Sequence, residues 1–242
     1  MKEERFFYAP QIDGELSQEE AHHALKVLRM QVGDEMWLMD GCGSFYRATI
    51  TVATGHRCLY RIEEMLPQEP AWQGHLHLAM APTKLMDRVE WFAEKATEIG
   101  FDELTFLDCQ FGERRVVKEE RIDKILVSAM KQSRKAWKPV LNGMIPFERF
   151  VKQECEGDKY ICHCYNKAVV GKAGTKPSLM DVLRRGIETT VLIGPEGDFS
   201  IDEVKLALRN GYQSVSLGSS RLRTETAALI AVHMMQLINQ NK

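Results

Sequence analysis

From residue 71 onward, apolar strand-like segments alternate with amphipathic helix-like segments. Each strand-like segment is followed by a helical pattern. The strand-like segments read HLHLAMAP, ELTFLDC, KYICHCY, TTVLIG and QSVSLG. Strands separated by helices pair in parallel, because a crossover helix returns the chain to the same end of the sheet. The alternation therefore predicts an α/β fold, a mostly parallel sheet with helices on both faces.

The first 70 residues follow a different pattern. Short segments rich in aromatic and β-branched residues surround one helical segment, SQEEAHHALKVLRM, with Ser17 as its predicted cap. This pattern predicts a small β-barrel domain with one helix. The stretch LPQEPAWQG contains Pro67 and Pro70 and is typical of a linker. With 242 residues the chain is long enough for two domains, which we predict at 1–70 and 71–242.

Several classes of protein are excluded by what the sequence lacks. No window approaches about 18 uninterrupted apolar residues, so no membrane association is expected. The start has no apolar signal region, so we expect a cytoplasmic protein. Cys162-His163-Cys164 is too tightly spaced for a zinc site and is interpreted as a strand, so no metal is expected. The motifs of NTPases, Rossmann dehydrogenases, α/β-hydrolases and zinc proteases do not occur.

Three loops follow strongly apolar strands in the C-terminal third. They are GPEGDFS at 194–200, LGSSRLRTET at 217–226, and the residues after YICHCY. In open α/β sheets ligands collect at the carboxyl ends of strands, and small residues let a ligand approach the backbone. Taken singly, each loop could also be a simple turn, with Ser200 and Glu203 capping the next helix.

Arg223 stands out within the second of these loops. It lies directly before an apolar helical segment, where a cation opposes the helix dipole and is not selected for stability. Thr224 as the N-terminal cap and Glu225 in the first turn both have structural explanations. The position of Arg223 is therefore as consistent with a functional role as with a structural one.

A basic stretch lies at residues 111–138. It carries 9 basic and 4 acidic side chains in a chain whose formal net charge is −2. Such a stretch is typical of a surface that binds phosphate groups, and it is equally typical of a solvated helix face. Charge alone leaves both interpretations open.

A family resemblance rests on four motifs in a fixed order. The motifs are HHALKVLRMQVGD, RVEWFAEKATEIG, LIGPEGDFSIDEV and LGSSRLRTETAALIAV. Together they resemble the RsmE-type ribosomal RNA uridine methyltransferases of the SPOUT superfamily, over nearly the whole chain. The resemblance implies a PUA-like β-barrel that binds RNA, at 1–70. It further implies a SPOUT methyltransferase domain at 71–242, whose C-terminal segment is threaded into a trefoil knot.

The same resemblance implies an activity and its partners. The cofactor would be S-adenosylmethionine, the enzyme would be a homodimer, and the product would be N3-methyluridine in 16S ribosomal RNA of the small subunit. Transferred residue by residue, the cofactor loops comprise Leu192, Ile193, Gly194, Pro195, Glu196, Gly197, Leu217, Gly218, Leu222, Arg223, Thr226 and Ala227.

Two positions depart from the family pattern. Asp198 stands where the family usually has a second glycine, which places an extra charge in the first cofactor loop. The usual Gln-Ser-Gly-Arg run is replaced by Gln132-Ser133-Arg134-Lys135.

A catalytic hypothesis follows from the second loop. The imide of uridine is a poor nucleophile until it loses its proton, so the enzyme must position it and stabilise its charge. Arg223 would stabilise the developing anion or anchor the adjacent phosphate. Glu225 would orient Arg223 or accept the proton, and Thr226 would hold the arrangement in place. RNA contacts are predicted for the basic residues Lys26, Arg29, Arg114, Arg115 and Arg134.

Two alternatives stay open at the level of the sequence. One is another SPOUT methyltransferase, acting on a ribose 2′-hydroxyl of transfer RNA. The other is a non-catalytic RNA-binding or ribosome-assembly protein that keeps the same scaffold.

Overall fold

The computed structural model describes residues 4–165 and 176–240. The chain divides into two compact units, one made of residues 1–70 with 127–138 and the other of residues 71–126 with 139–242. The segment 127–138 thus belongs to the first unit by its contacts, and the predicted domain limits stay a prediction. The predicted third loop, after YICHCY, continues into residues 166–175, which lie outside the described residues.

The first unit contains a mixed sheet of four strands. Its strands are β1 (Phe6–Tyr8), β2 (Glu35–Met39), β3 (Ser44–Thr54) and β4 (Arg57–Pro67), in the order β1-β2-β3-β4. β1 runs parallel to β2, and the other pairs are antiparallel. Met36, Leu38, Ala48 and Ile50 point into one core, as alternating strand residues should. The strands expected in this region are present, and their closure into a barrel stays a prediction.

One helical segment covers this sheet. Helix α1 (Gln18–His22) begins where predicted, with the Ser17 hydroxyl accepting the backbone N–H of Glu20 at 3.3 Å. It continues as a π-helical turn over His23–Val27. Ala21 and Ala24 are fully buried and join the same core as the strands.

The segment 127–138 completes the first unit. Lys131 Nζ lies 2.5 Å from Glu20 Oε1, and the backbone N–H of Lys138 donates to the carbonyl of Gly41 at 2.9 Å. Gly43 has a φ of 109°, and a Cβ there would come within 2.3 Å of the Trp137 ring. The turn at Gly43 is therefore shaped to receive an indole from a distant part of the sequence.

The second unit contains a six-stranded parallel sheet. Its strands are β5 (Leu76–Met80), β6 (Glu103–Asp108), β7 (Val140–Pro146), β8 (Asp158–Cys162), β9 (Thr189–Ile193) and β10 (Gln213–Val215). The order is β10-β8-β9-β5-β6-β7, and every pair is parallel. The predicted parallel sheet is confirmed.

Helices cover both faces of this sheet. They are α2 (Met86–Ile99), α3 (Glu119–Ser133), α4 (Phe147–Val151), α5 (Leu179–Val182), α6 (Ile201–Arg209) and α7 (Thr224–Asn239). On β9, Val191 and Ile193 join a core shared with α2, α5 and α7, whereas Leu192 joins a core shared with α4 and α6. All three are almost completely buried. A strand that is apolar on both faces is typical of a parallel sheet covered on both sides.

Three local predictions differ from the structure. Strand β7 and helix α4 were not predicted, because VLNGMIP contains Asn, Gly and Pro and reads as a loop. The segment TKLMDRVEWFAEKATEIG predicts a helix that Thr83 can cap, whereas helix α2 begins after Leu85 and Thr83 donates its hydroxyl to the Leu85 carbonyl. The segment EERIDKILVSAMKQSRKAW predicts a helix that continues to Pro139, whereas helix α3 ends at Ser133 because Arg134 adopts a φ of 52°. Lys135 N–H then bonds the Met130 carbonyl, which closes the helix end.

A buried polar network joins β5, β6 and β7. Glu103 Oε2 lies 2.8 Å from His75 Nε2, and Glu103 Oε1 accepts the Asn142 amide at 2.5 Å. His77 Nε2 lies 2.8 Å from the Thr105 hydroxyl. The His75 hydrogen bond lowers the pKa of Glu103 to about 2, and desolvation lowers the pKa of His77 to about 4. His77 is therefore neutral at physiological pH.

Acidification from about pH 7 to about pH 5 is expected to destabilise the protein by about 1–2 kcal/mol for each of His77 and His163. Desolvation lowers the pKa of both to about 4 from an ordinary value of 6.5. The stabilisation that such a histidine gives is complete above pH 6.5 and is lost as the pH falls toward 4. The reason is that the histidine of the unfolded chain binds its proton at a higher pH than the histidine of the folded protein. Urea unfolding at both pH values measures the loss.

The same experiment on His77→Gln tests the assignment. This variant should lose less stability than the wild type over that pH range, because it has no proton to bind. Glu103 does not contribute there, since its stabilisation is lost only below its ordinary pKa of 4.5. The hydrogen bond with Glu103 raises the pKa of His75, so the stabilisation that His75 gives is complete below pH 6.5 and is not lost on acidification. Equal pH dependence in both proteins would contradict the assignment to His77.

No helix among the described residues is long and apolar enough to cross a membrane.

Candidate functional site

Four loops lie at the carboxyl edge of the parallel sheet. They follow β5, β8, β9 and β10, whose strands are neighbours in the order β10-β8-β9-β5. The loop after β5 is joined to the loop after β9, because the backbone N–H of Lys84 donates to Glu196 Oε1 at 3.0 Å. The parallel sheet thus brings together the two predicted cofactor loops and adds a third, which the sequence did not point to.

The loop after β9 is tightly built around its glycines. A Cβ on Gly194 would lie 3.0 Å from the Phe199 ring, and one on Gly197 would lie 3.1 Å from Phe111. A side chain at either position would therefore crowd the neighbouring protein groups. Pro195 is buried. Glu196 is exposed, and its carboxylate accepts the backbone N–H of Lys84. The predicted residues Leu192 and Ile193 are core residues of β9, so only their backbone is available to a ligand.

Asp198 occupies a backbone conformation that favours glycine. Its φ is 67°, in the left-handed region that Asp and Asn tolerate better than most residues. Its Oδ2 accepts the backbone N–H of Cys164 at 2.8 Å, and its Oδ1 accepts that of Phe199, also at 2.8 Å. The Tyr165 hydroxyl adds a bond to the Phe199 carbonyl at 2.7 Å. Asp198 therefore ties the loop after β9 to the loop after β8.

The loop after β10 is open where Gly218 lies. Gly218 has a φ of 129°, and within residues 4–165 and 176–240 no heavy atom beyond its chain neighbours lies within 4 Å of the position of a Cβ there. The Ser216 hydroxyl bonds both the N–H and the carbonyl of Gly218, at 3.2 and 3.0 Å. Leu217 and Leu222 are half-buried on either side of this turn. The loop leaves space beside its backbone on the side where the Gly218 Cβ would stand.

Arg223, and not Thr224, is the N-terminal cap of α7. Its carbonyl accepts the N–H of Ala227 at 2.8 Å, and its exposed side chain makes no capping hydrogen bond. Thr224 is the first helical residue and is buried, whereas Thr226 and Ala227 are half-buried. The Arg223 guanidinium thus reaches solvent at the positive end of a helix dipole, where it gains no stability.

Glu225 is paired with Arg88, a residue that the sequence analysis did not select. Glu225 Oε1 lies 3.8 Å from Arg88 Nε, and the Glu225 side chain is only 9% exposed. Its second oxygen, Oε2, is buried and has no hydrogen-bond partner among the described residues. The hypothesis that Glu225 orients Arg223 has no contact to support it in the described part of the chain. Arg88 lies in the RVEWFAEKATEIG motif. The apolar periodicity of this motif indicates helix packing and does not single out Arg88.

The basic residues Arg114 and Arg115 hold neighbouring backbone. Arg114 donates to the carbonyls of Thr83 and Lys84, with a shortest distance of 2.7 Å to Lys84. Arg115 is ion-paired with Asp108 and donates to the Cys109 carbonyl at 2.9 Å. Both therefore shape the loops after β5 and β6, which lie beside the candidate site, and their predicted RNA contacts stay a prediction.

The other predicted RNA contacts lie in the first unit. Lys26 and Arg29 are exposed at the end of the helical segment, and Arg29 has a φ of 54°. Arg134 Nη1 bonds Glu4 Oε2 at 2.8 Å, and its guanidinium lies 5.4 Å from the centre of the Phe6 ring. Arg134 is thus engaged with β1 and its neighbourhood, whereas Lys26 and Arg29 present their charge to solvent.

The Cys162-His163-Cys164 segment has the character of a strand end. Cys162 is the last residue of β8, and burial raises the pKa of its thiol to about 12. His163 Nε2 bonds the Ser214 hydroxyl at 2.8 Å, and Lys176 donates to the His163 carbonyl. No group of three or more candidate metal ligands occurs within residues 4–165 and 176–240. The strand predicted for this segment thus includes Cys162 only, and His163 and Cys164 lie in the loop that follows β8.

A parallel α/β sheet with joined loops at its carboxyl edge, preceded in sequence by a small β-sheet unit, is an architecture in which ligands bind at that edge. The RNA methyltransferase domain model matches residues 70–236, and the RNA methyltransferase PUA domain model matches residues 16–63. The chain belongs to this RNA methyltransferase family, whose curated relatives are named ribosomal RNA small subunit methyltransferase E. The resemblance stated from the four motifs is confirmed.

Individual relatives agree with this assignment. The protein with that name from Rickettsia conorii is 28% identical over 227 residues, covering 93% of this chain and 89% of the relative. The crystal structure of a probable rRNA-methyltransferase from Porphyromonas gingivalis is 41% identical, with a TM-score of 0.89 and coverage of 96% and 98%. A ribosomal RNA small subunit methyltransferase E from Neisseria gonorrhoeae, bound to S-adenosyl methionine, is 26% identical, with a TM-score of 0.84 and coverage of 97% and 98%.

Proposed function

We propose that this chain methylates N3 of a specific uridine in 16S ribosomal RNA of the small subunit, with S-adenosylmethionine as the methyl donor. The observation that carries the proposal is the carboxyl edge of the sheet, where the GPEGDFS loop and the LGSSRLRTET segment that contains Glu225 follow β9 and β10, in a chain of the methyltransferase E family. The relative from Neisseria gonorrhoeae is solved with S-adenosyl methionine bound, which supports the same cofactor here.

The residues of this edge fit the cofactor. The space beside Gly218 can admit a ligand, because among the described residues no heavy atom beyond its chain neighbours lies within 4 Å of its Cβ position. Backbone groups of 192–197, 217–218 and 222–223, with Thr226 and Ala227, would hold it, as the resemblance implies. The buried Oε2 of Glu225 is an acceptor that has no donor in the described part of the chain. When bound, S-adenosylmethionine supplies a methyl group on a sulfonium, so the protein need only present an aligned nucleophile.

The side chains at the start of α7 then share the remaining tasks. Arg223 places a permanent positive charge beside the uracil and stabilises the anion that forms as N3 loses its proton. Glu225 accepts the N3 proton or holds it by a hydrogen bond to its unpartnered Oε2. Thr226, one residue further along the helix, keeps the first turn in place.

Domain roles and assembly belong to the same proposal. Residues 1–70 form a PUA-like β-barrel that helps to bind RNA, and 71–242 form the SPOUT domain with a C-terminal trefoil knot. β10 pairs with β8 rather than with β9, the strand before it in sequence, which supports a threaded C-terminal segment. Helix α7 supports a homodimer, because its outer side carries the half-buried Ile230 and the 47% exposed Leu237. A ribosomal RNA substrate supports a cytoplasmic location for the enzyme.

Mass spectrometry of digested ribosomal RNA tests the function. Small-subunit RNA from cells lacking this protein should lack one N3-methyluridine, and the purified protein with S-adenosylmethionine should restore it. Loss of a ribose methyl group from transfer RNA would instead support the transfer RNA alternative. An unchanged set of modifications would support a non-catalytic assembly role.

Reversing the charges of Arg114 and Arg115 is expected to weaken RNA binding about tenfold and to flatten its salt dependence. Each lost phosphate contact reduces the slope of log K against log salt by about 0.7 for single-stranded RNA. Filter binding at several salt concentrations measures both quantities. Because Arg114 also holds the Lys84 carbonyl, the thermal midpoint of the variant is recorded alongside. Unchanged affinity and slope would leave these arginines with a purely structural role.

A further inference from the structure

Glu225 carries a buried carboxylate whose hydrogen bonding is incomplete. Its side chain is 9% exposed, and Oε2 has no hydrogen-bond partner among the described residues. Buried acceptors in folded proteins are nearly always satisfied, and a buried charge without a partner is costly. An unsatisfied oxygen at the edge that holds the cofactor loops therefore indicates a donor supplied by a ligand.

Arg88 is the cation that holds this carboxylate. It lies in the first turn of α2, and its Nε approaches Glu225 Oε1 at 3.8 Å, from a side chain that is 32% exposed. This distance exceeds a hydrogen bond, so the pairing is electrostatic rather than a bidentate clamp. The start of α7 adds a second favourable field, because the dipole of a helix stabilises an anion in its first turn. Together they place positive charge beside Oε1 and the helix start without occupying Oε2.

We propose that Arg88 is a positioning residue that holds the Glu225 carboxylate turned so that Oε2 receives the N3–H of the target uridine. The inference rests on the proposed function and adds a residue to it. Arg88 acts from α2, across the packed contact of α2 with α7, and does not itself touch the reacting atoms. The ammonium group of the cofactor is the alternative hydrogen-bond donor to Oε2. Measurements of cofactor affinity distinguish it from the N3–H of the uridine.

The test compares Arg88→Ala, Arg88→Lys and Glu225→Gln by steady-state methylation of small-subunit RNA and by calorimetric titration with S-adenosylmethionine. Arg88→Ala should lower kcat about tenfold while the dissociation constant of the cofactor stays within about twofold of wild type. Arg88→Lys should recover much of the rate, because it restores the charge. In the Glu225→Gln background, Arg88→Ala should have little further effect, since the two residues act as a unit.

Lys95→Ala is the matched control. Lys95 lies on the same helix and is ion-paired with Glu94 and Glu98 at 2.7 and 2.8 Å, so its loss removes a comparable interaction away from Glu225. It should leave kcat unchanged. The thermal midpoint of every variant is measured, and Arg88→Lys keeps the test valid if Arg88→Ala folds poorly.

Four results would overturn the inference. Wild-type kcat in Arg88→Ala, or an additive loss in the double variant, would show that Arg88 does not act through Glu225. A parallel loss of cofactor affinity in Arg88→Ala and Glu225→Gln would show that Oε2 serves the cofactor. If the wild-type protein transfers no methyl group to small-subunit RNA, the proposed function fails, and this inference fails with it.

Discussion

Arg223→Ala is expected to lower methyl transfer by about 100-fold or more while the affinity for S-adenosylmethionine stays near that of the wild type. Removal of one group that stabilises a developing charge typically costs about 10²–10³ in kcat. The cofactor should be spared because Arg223 contributes its backbone to the loop, in an extended conformation with φ −72° and ψ 158° that alanine adopts equally well. Its side chain makes no capping bond whose loss would unfold α7.

Methylation assays and calorimetric titration with the cofactor measure the two effects separately. Arg223→Lys should retain part of the rate, because it keeps the charge but not the planar array of donors. Arg209→Ala provides the control. Arg209 lies at the C-terminal end of α6, and its Nε donates to the Lys205 carbonyl of the same helix at 3.3 Å. Wild-type turnover in Arg223→Ala would refute the role given to this side chain.

Asp198→Gly is expected to weaken S-adenosylmethionine binding about 10- to 100-fold. Glycine retains the left-handed backbone at 67° but loses both hydrogen bonds of the carboxylate, to Cys164 N–H and Phe199 N–H. A hydrogen bond to a charged group contributes about 1.5–3 kcal/mol, and about 1.4 kcal/mol corresponds to a factor of ten. A loop that is in its binding conformation for only a fraction of the time binds correspondingly more weakly.

Asp198→Asn tests how far the affinity depends on the hydrogen bonds of the carboxylate when the left-handed backbone is kept. Asparagine tolerates the same backbone conformation and keeps one acceptor oxygen, so its affinity should fall between those of the wild type and Asp198→Gly. Calorimetric titration of the three proteins gives the order directly. If Asp198→Gly binds as tightly as the wild type, the bond to Cys164 does not position the loop. The residue would then be a tolerated replacement for the usual glycine.

The sequence predicts the parallel sheet because its strands are apolar and its helices amphipathic, and both signals are local. Strand β7 is missed because it is an edge strand containing Gly143 and Pro146, where the demand for buried side chains is weak. The capping box at Ser200 and Glu203 is predicted correctly, since it needs only residues three apart.

The site is only partly predictable for the opposite reason. Arg223 can be identified because a cation before a helix conflicts with the helix dipole. The pairing of Arg88 with Glu225 joins residues far apart in sequence, and no periodicity in α2 distinguishes Arg88 from a solvated charge. The role of Asp198 depends on a positive φ and on a neighbouring strand, neither of which a single sequence displays. Local signals thus identify elements, whereas the partners of a side chain follow from the fold.

The segment 127–138 has a consequence for how such a protein can be recombined. The first unit takes the Trp137 ring against Gly43 and the Lys131 ammonium against Glu20 from a part of the chain that follows β5 and β6. A fragment cut after Pro70 would expose the site that receives the indole and leave the mostly buried Glu20 without its cation. A single crossover therefore cannot transplant this RNA-binding module into another enzyme; the exchange requires a second, internal crossover that brings 127–138 along.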